Sequence, residues 1–305
     1  MSALEERLYC LSPAKRKLLE RMLVKNEQGP RQAVFEPAAL QSFSSSEVRS
    51  KIGTRQFYNA INGQLAGTIF GDYSYFLNYG YAPEMPDQRV GGKLPLHFPN
   101  RNSAQLVMEL IGDCDLTGKR VLDIGCGRGG ALMIVDKYFA ASLKIGFDLS
   151  SEAIAFCNRR HRNASTVFLE GDAEEVPFAD SSFDVVTNIE SSHSYPHPGS
   201  FYREVWRVLA PGGVFLYTDL FAPATFAEHR HTLLAVGFAV ERESDITANV
   251  LRSCRAVARQ RMNVFDHAAQ PSVMQEFLST PESDVFAAMD SGGAVYKMFR
   301  LRKAR

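Results

Sequence analysis

The 305-residue chain is long for one domain and short for two, which favours a single α/β core with terminal additions. Hydrophobic residues at 45% and charged residues at 22% suit a chain with a sizeable buried core. Its 34 basic residues balance 34 acidic ones, leaving no electrostatic footprint for nucleic acid or an anionic membrane and pointing to a neutral small-molecule partner.

The five cysteines, Cys10, Cys114, Cys126, Cys157 and Cys254, are scattered without metal-ligand spacing. They read as free thiols in a reducing cytoplasm, and no metal is expected. The early charges of MSALEERLYCL argue against a secretory leader, and no run reaches the roughly 18 apolar residues of a membrane span.

In chain order, residues 3–28 read as helical: Ser12-Pro13 gives a cap and a first-turn proline, and Leu18, Leu19, Met22 and Leu23 share a face. Gly29-Pro30 and the cluster Ser44, Ser45 and Ser46 mark a boundary. A second helical run, about residues 46–66, leads into the aromatic FGDYSYFLNYGYAP, residues 70–83. From about residue 103 helices and strands alternate, the pattern of a parallel sheet with crossovers. The expected strands are RVLDI (120–124), LKIGFD (143–148), TVFLEGD (166–172), FDVVTNI (183–189), VFLYTDLF after Pro211-Gly212-Gly213, FAVERESDI and AVYKMFRLRK. The last follows an α-rich stretch over about 247–290 and is expected antiparallel at the sheet edge, with the α-rich stretch over the carboxyl ends of the strands.

The strongest signal is VLDIGCGRGG, residues 121–130, in which Gly125, Gly127 and Gly129 follow a buried strand and open a helix. Asp123, two residues before the first glycine, would repel a pyrophosphate but attract the ammonium of a methionine moiety. Asp148 ends the second strand 25 residues later, the place for a carboxylate that accepts both ribose hydroxyls. Asp172, in Gly171-Asp172-Ala173, ends the third and can accept from an adenine amino group. Helix capping is the competing account of Asp148 and Asp172, weakened by the presence of three acids on successive strand ends.

VLDIGCGRGG, GFDLS, GDAEEVPF, SSFDVVTNIESSH and VWRVLAPGG resemble the ordered motifs of class I S-adenosylmethionine methyltransferases, over about residues 100–245. NYGYAP, CNRRH and ESSHSYPHPGSFYREVWRVLAPGGVFLYTDL are similar to the phthiotriol and phenolphthiotriol dimycocerosate methyltransferases and to O-methyltransferases that tailor polyketides and nonribosomal peptides. The resemblance implies an α/β, Rossmann-like, seven-stranded sheet, mostly parallel with the last strand antiparallel. An N-terminal helical lid and an α-rich cap insertion before the last strand complete that picture. Residues 1–46 then form an N-terminal helical extension or linker and residues 47–305 the methyltransferase domain, divided into lid 47–100, cofactor-binding core 101–246, substrate cap 247–290 and final strand 291–303. It also implies S-adenosylmethionine as cofactor, held by Asp123, Gly125, Gly127, Asp148, Leu149, Asp172, Ala173 and Ile189, with Tyr79 of NYGY closing over the methionine end.

Methyl transfer from a sulfonium depends mostly on positioning, about 7–11 kcal/mol, whereas a general base adds roughly 10²–10⁴-fold. An alcohol acceptor still has to lose its proton. The fourth strand ends at Asn188-Ile189-Glu190 and its loop carries His193; the fifth, expected as its neighbour, ends at Asp219. His193 is the expected base, with Glu190 and Asp219 both open as the acid that orients it. His197, between Pro196 and Pro198, is a rival that would touch substrate or shape the loop, and Tyr81 is placed with it at the substrate. The expected function is O-methylation of a bulky apolar natural product: a polyketide, nonribosomal peptide or lipid-like molecule. N- or C-methylation, or a non-catalytic cofactor-binding interaction module, stands as the alternative. NIESSH lacks the Asn or Asp followed by two prolines and an aromatic that DNA amino-methylating enzymes carry, whereas a cyclopropane-forming lipid enzyme would share this cofactor site. ERLYCLSPAKRKLLERML resembles linker or docking segments of modular synthases, against the alternative of an ordinary amphipathic helix, so the acceptor is either carrier-protein-bound or free. Met262, Val264, Phe265, Met274 and Phe277 are expected to wall an apolar pocket.

Overall fold

The computed structural model describes residues 50–66, 71–85, 94–95, 97–264 and 271–304. The helix expected over 3–28 and the docking segment within it lie outside these residues, as do Phe265 and the side chains of Met262, Val264 and Met274. The strands are Arg120–Ile124 (β1), Leu143–Asp148 (β2), Thr166–Glu170 (β3), Phe183–Ile189 (β4), Leu209–Phe221 (β5), Phe238–Asp245 (β6) and Val295–Lys303 (β7). Helices Lys51–Ala66 (α1) and Arg101–Ile111 (α2) precede β1. Gly130–Tyr138 (α3), Ser151–Arg160 (α4), Pro198–Val208 (α5) and Pro223–Val236 (α6) alternate with the strands. Thr247–Val264 (α7), Pro271–Leu278 (α8) and Asp284–Asp290 (α9) occupy the interval before β7.

The seven strands form one sheet in the order β3-β2-β1-β4-β5-β7-β6, with β7 antiparallel to both of its neighbours. Alternate residues serve opposite faces. Val121, Val185 and Leu216 enter one apolar cluster, while Leu122, Val186, Phe215 and Tyr217 enter the other, which is why the central strands read as unbroken apolar runs. Local signals agree with the helix starts. The Ser150 hydroxyl accepts the Ala153 N–H at 3.2 Å to cap α4, and α5 opens with Pro198 in its first turn.

Two expectations about the second half of the sheet need correction. β7 is antiparallel but does not lie at the edge; it inserts between β5 and β6. The patterns give the reason: VYKMFRLRK alternates buried with partly buried residues, whereas FAVERESD exposes its charges and suits an edge, where charge discourages pairing with other chains. β5 begins at Leu209, ahead of Pro211-Gly212-Gly213, and the turn is absorbed as a register shift opposite β4. Strand order reverses between β1 and β4, so their carboxyl ends open a crevice, the usual ligand position in such sheets.

Candidate active site

A cleft that opens to solvent lies at that reversal, the usual place for a small-molecule site. Its floor is the turn after β1. Gly125 and Gly127 adopt φ +70° and +50°, and a Cβ on Gly125 would sit 2.1 Å from Ser191 Oγ, so the turn admits only glycine there. Gly125 and Cys126 donate to the Phe147 carbonyl at 2.7 and 3.2 Å, tying the turn to β2.

The three strand-tip acids all line this cleft. Asp123, 2% exposed, accepts from Thr187 Oγ1 at 2.6 Å, and burial pushes its carboxyl up to about 7. Asp148 accepts the Gly127 and Ser150 N–H groups at 2.8 Å each; burial still holds it above the ordinary carboxylate value. Since Ser150 caps α4, capping does not account for Asp148. Asp172 is held by Lys51 of α1 at 2.6 Å and accepts the Glu174 N–H at 2.9 Å. Leu149, Ala173 and Ile189 complete the apolar wall.

Among the described residues that line the cleft, Asp123, Asp148, Asp172, Glu174 and Glu190 face two cations, Lys51 and Arg128. That donor set suits a cationic ligand with hydroxyls better than a pyrophosphate. Its cationic sulfonium and ammonium and its ribose hydroxyls make S-adenosylmethionine a ligand that this set of carboxylates fits.

The roof lies within the stretch expected as the lid, residues 47–100, but the side chains that face the cleft were not among the expected contacts. Lys51, Thr54, Tyr58 and Asn62 of α1 and Tyr75, Phe76, Leu77 and Asn78 of the following segment line the cleft. Tyr58 is half-buried, 3.3 Å from Ser194 Oγ, and desolvation pushes its phenol up to about 12. The roof is fastened by Arg128, from the glycine turn itself. Its guanidinium donates to the Ser74 carbonyl at 2.6 Å, to Asn62 Oδ1 at 3.1 Å and to the Gly71 carbonyl, and it stacks 3.6 Å from the Phe156 ring. Phe277 packs on the roof helix, 6.1 Å from Phe57 and 6.4 Å from Tyr58 between ring centres. The basic residue inside the glycine motif was the one sequence signal for this clasp.

At the ends of β4 and β5 the structure separates the two acids that sequence left open. Asp219, 0% exposed, accepts from His193 Nδ1 at 2.7 Å, from the His193 N–H at 3.0 Å, from Ser192 Oγ at 2.6 Å and from the Leu220 N–H at 2.8 Å. Burial pushes Asp219 up, but the His193 charge and these donors outweigh it and hold the carboxyl below its ordinary value. Burial likewise opposes protonation of His193, and the Asp219 charge and hydrogen bond override it, leaving the imidazole above its ordinary value. The His193 side chain keeps 42% of its surface exposed, so it is open to a proton donor. Glu190 instead accepts the Tyr79 N–H at 2.8 Å and the Tyr296 hydroxyl from β7, and burial pushes it up to about 7. Its φ of +48° turns the chain out of β4 into this loop. Asp219, and not Glu190, is the acid bonded to His193.

His193 and Asp219 stand beside the cleft's Glu190, Ser191 and Ser194 without lining it themselves, and three further expected contacts are not at the cleft. Tyr79 meets the site through its backbone N–H while its ring packs into the core beside α7, where Ser253 Oγ donates to its carbonyl at 2.8 Å. Tyr81 lies beyond it, its N–H bonded to the Asn102 carbonyl at 2.9 Å and its ring against the same core. His197 occupies the cap position of α5 with an exposed ring, and its N–H donates to Glu174 Oε1 at 2.6 Å. In each case local backbone pairing sets the position, and neighbouring residues (Leu77, Asn78, Pro196) take the cleft instead.

A protein-family profile described as "Methyltransferase domain" matches residues 122–217. A fatty-acid O-methyltransferase of Mycolicibacterium smegmatis is 35% identical over 229 residues, covering 73% of this chain and 81% of that protein. A phthiotriol/phenolphthiotriol dimycocerosates methyltransferase of Mycobacterium tuberculosis is 33% identical over 239 residues, covering 76% and 86%. Among solved structures, the cyclase SpnF aligns with TM-score 0.63 at 21% identity, over 84% of this chain and 96% of that one. The StiE O-MT aligns with TM-score 0.59 at 18% identity, over 80% and 91%; both show the shared fold. Fold, strand-tip acids and matched profile together define a class I S-adenosylmethionine-dependent methyltransferase. Within that class the chain belongs to the family that contains the phthiotriol/phenolphthiotriol dimycocerosates methyltransferases and the fatty-acid O-methyltransferase.

Proposed function

We propose that this enzyme methylates a hydroxyl oxygen on a bulky, largely apolar acceptor of lipid-like or polyketide character, with His193 as general base. When bound, S-adenosylmethionine supplies a methyl group on a sulfonium. Asp123 would hold the methionine ammonium, Asp148 the ribose hydroxyls and Asp172 the adenine side, on the turn formed by Gly125 and Gly127. Residues 71–78 and α1 act as the lid that excludes water. His193 takes the acceptor's proton at Nε2, because Asp219 fixes hydrogen on Nδ1. Asp219 stays ionised and stabilises the imidazolium. Glu190 anchors the lid backbone at Tyr79 and stands beside the pair as a second charge.

The His193–Asp219 hydrogen bond is the observation that carries this reading. A hydroxyl needs such a base, whereas a carboxylate acceptor is already ionised. The similarity to a fatty-acid O-methyltransferase favours a fatty carboxylate as the second reading. One experiment separates them. The purified protein is incubated with S-adenosylmethionine and either a long-chain alcohol or diol or a long-chain fatty acid, and the products are weighed by mass spectrometry. His193→Ala should lower alcohol methylation by roughly 10²–10⁴-fold and leave calorimetric cofactor affinity nearly unchanged. An undiminished alcohol rate in that variant removes the histidine from the mechanism, and methylation of the fatty acid alone selects the second reading. Cofactor binding without turnover on either acceptor counts against both.

A further inference from the structure

Behind Asp219 a run of hydroxyl groups leads away from the cleft toward α5 and α6. Ser192 Oγ lies 2.6 Å from Asp219 Oδ2 and 2.6 Å from the Tyr217 hydroxyl. The Tyr217 hydroxyl is 3.0 Å from that of Tyr202, which is 2.8 Å from Nδ1 of His229 on α6. Ser192, Tyr217 and Tyr202 are 2%, 0% and 0% exposed, so solvent cannot replace the links among them or to Asp219, and His229 closes the run as a half-buried end. Counting protons fixes the direction. An ionised carboxylate only accepts, so Ser192 gives its one proton to Asp219 and must accept from Tyr217. Tyr217, its proton committed, accepts from Tyr202. Tyr202 in turn accepts from His229, whose Nδ1 therefore carries hydrogen.

We propose that His229, Tyr202 and Tyr217 are positioning residues: with Ser192 they form a one-way hydrogen-bond chain that holds Asp219 ionised and so sets the tautomer and basicity of His193. Each donor in such a chain polarises the next. Donors bind a carboxylate most tightly when its charge is not shared with an imidazolium. The chain therefore favours the unprotonated His193–Asp219 pair, and losing a link raises the pH at which the pair takes up a proton. Other ionisable groups face the pair: Glu190 at the end of β4, Tyr58 of α1, Tyr79, Tyr195 and Tyr296 of β7, with Glu228 beside His229. The tyrosines are held protonated by burial. Glu190 is the carboxylate among them that titrates near neutrality, so each variant is also measured on a Glu190→Gln background.

The test is nitrogen NMR of the full chain labelled at histidine, with His193→Gln and His229→Gln assigning the rings. Neutral His229 should show the Nδ1–H tautomer and shift toward Nε2–H in Tyr202→Phe. The His193 midpoint should rise by about 0.3–1 pH unit in Ser192→Ala and, less, in Tyr217→Phe. The double variant should rise no further than Ser192→Ala, because Tyr217 acts through Ser192. An Nε2–H His229 in the unaltered protein overturns the chain, and so does an unmoved midpoint in a folded Tyr217→Phe. Should Tyr217→Phe fail to fold, the tautomer of unaltered His229 decides alone. The catalytic consequence rests on His193 being the base, yet the titration is read without turnover. Full alcohol methylation by His193→Ala removes the base and leaves the chain; an Nε2–H His229 removes the chain and leaves the base.

Discussion

Asp123 and Gly125 are two residues apart and constrain the cofactor by different physics. One Asp123 oxygen is taken by Thr187, and burial pushes the carboxyl up to about 7. Between about pH 4 and 7 the folded protein therefore binds more protons at this site than the unfolded chain. Its contribution favours folding at the acid end and is lost as pH rises through about 7. An ammonium pairs only with the ionised form, so cofactor affinity should run the other way. Calorimetry between about pH 5.5 and 7.5 should show affinity rising by up to about tenfold per unit, and Asp123→Asn should weaken binding and flatten the slope. A flat profile in the unaltered protein would falsify the assignment of Asp123 to the ammonium. At Gly125 the limit is space as well as conformation. Gly118 shares a positive φ, +69°, but has nothing within 4 Å of an added Cβ. Gly118→Ala should cost about 1–2 kcal/mol of stability and leave cofactor affinity intact. Gly125→Ala meets Ser191 and Tyr195 as well, and its cofactor dissociation constant should rise at least about tenfold. Equal effects at the two glycines would mean that backbone strain alone accounts for both.

Among the elements, α1 and residues 71–78 are tied to one another at the cleft by a single side chain of the glycine turn, beside ion pairs such as Lys51–Asp172. Arg128 is 1% exposed, its ionisation pushed down to about 10 by burial, and its partners are carbonyl oxygens of the roof rather than carboxylates. Arg128→Met keeps much of the packing on Phe156 but leaves the acceptors at Gly71 and Asn62 buried without their donor and a third, at Ser74, half-buried. At about 1–3 kcal/mol for each buried unpaired group, the variant should lose at least about 2 kcal/mol of stability. Hydrogen exchange should quicken first at residues 71–78, while β1 and β4 stay protected. Uniform exchange across sheet and roof would show that Arg128 serves the core as a whole.

For the whole molecule, the insertion of β7 between β5 and β6 brings the C-terminal strand to the site, through the Tyr296 hydroxyl on Glu190. Glu190 titrates near 7, so this bond joins a neutral carboxyl at acid pH and a carboxylate above it. Tyr296→Phe should cost about 1 kcal/mol near pH 5 and about 1.5–3 kcal/mol near pH 8, read from denaturant midpoints. A cost independent of pH would place the tyrosine's importance in packing instead.

The glycine turn and its acids were legible before any coordinates, because chain-local geometry sets them. A buried strand, a turn that only glycine can make, and an acid at each strand tip recur at fixed offsets along the chain. The bounds of β1, β2 and β4 followed from the same periodicity. Asp219 as the partner of His193, Arg128 as clasp, Tyr296 on Glu190, and the ring of Tyr79 turned away from the cleft were settled only in three dimensions. Each joins residues tens to more than a hundred positions apart, and hydropathy along one strand or helix carries no record of which distant group will satisfy a buried proton or charge.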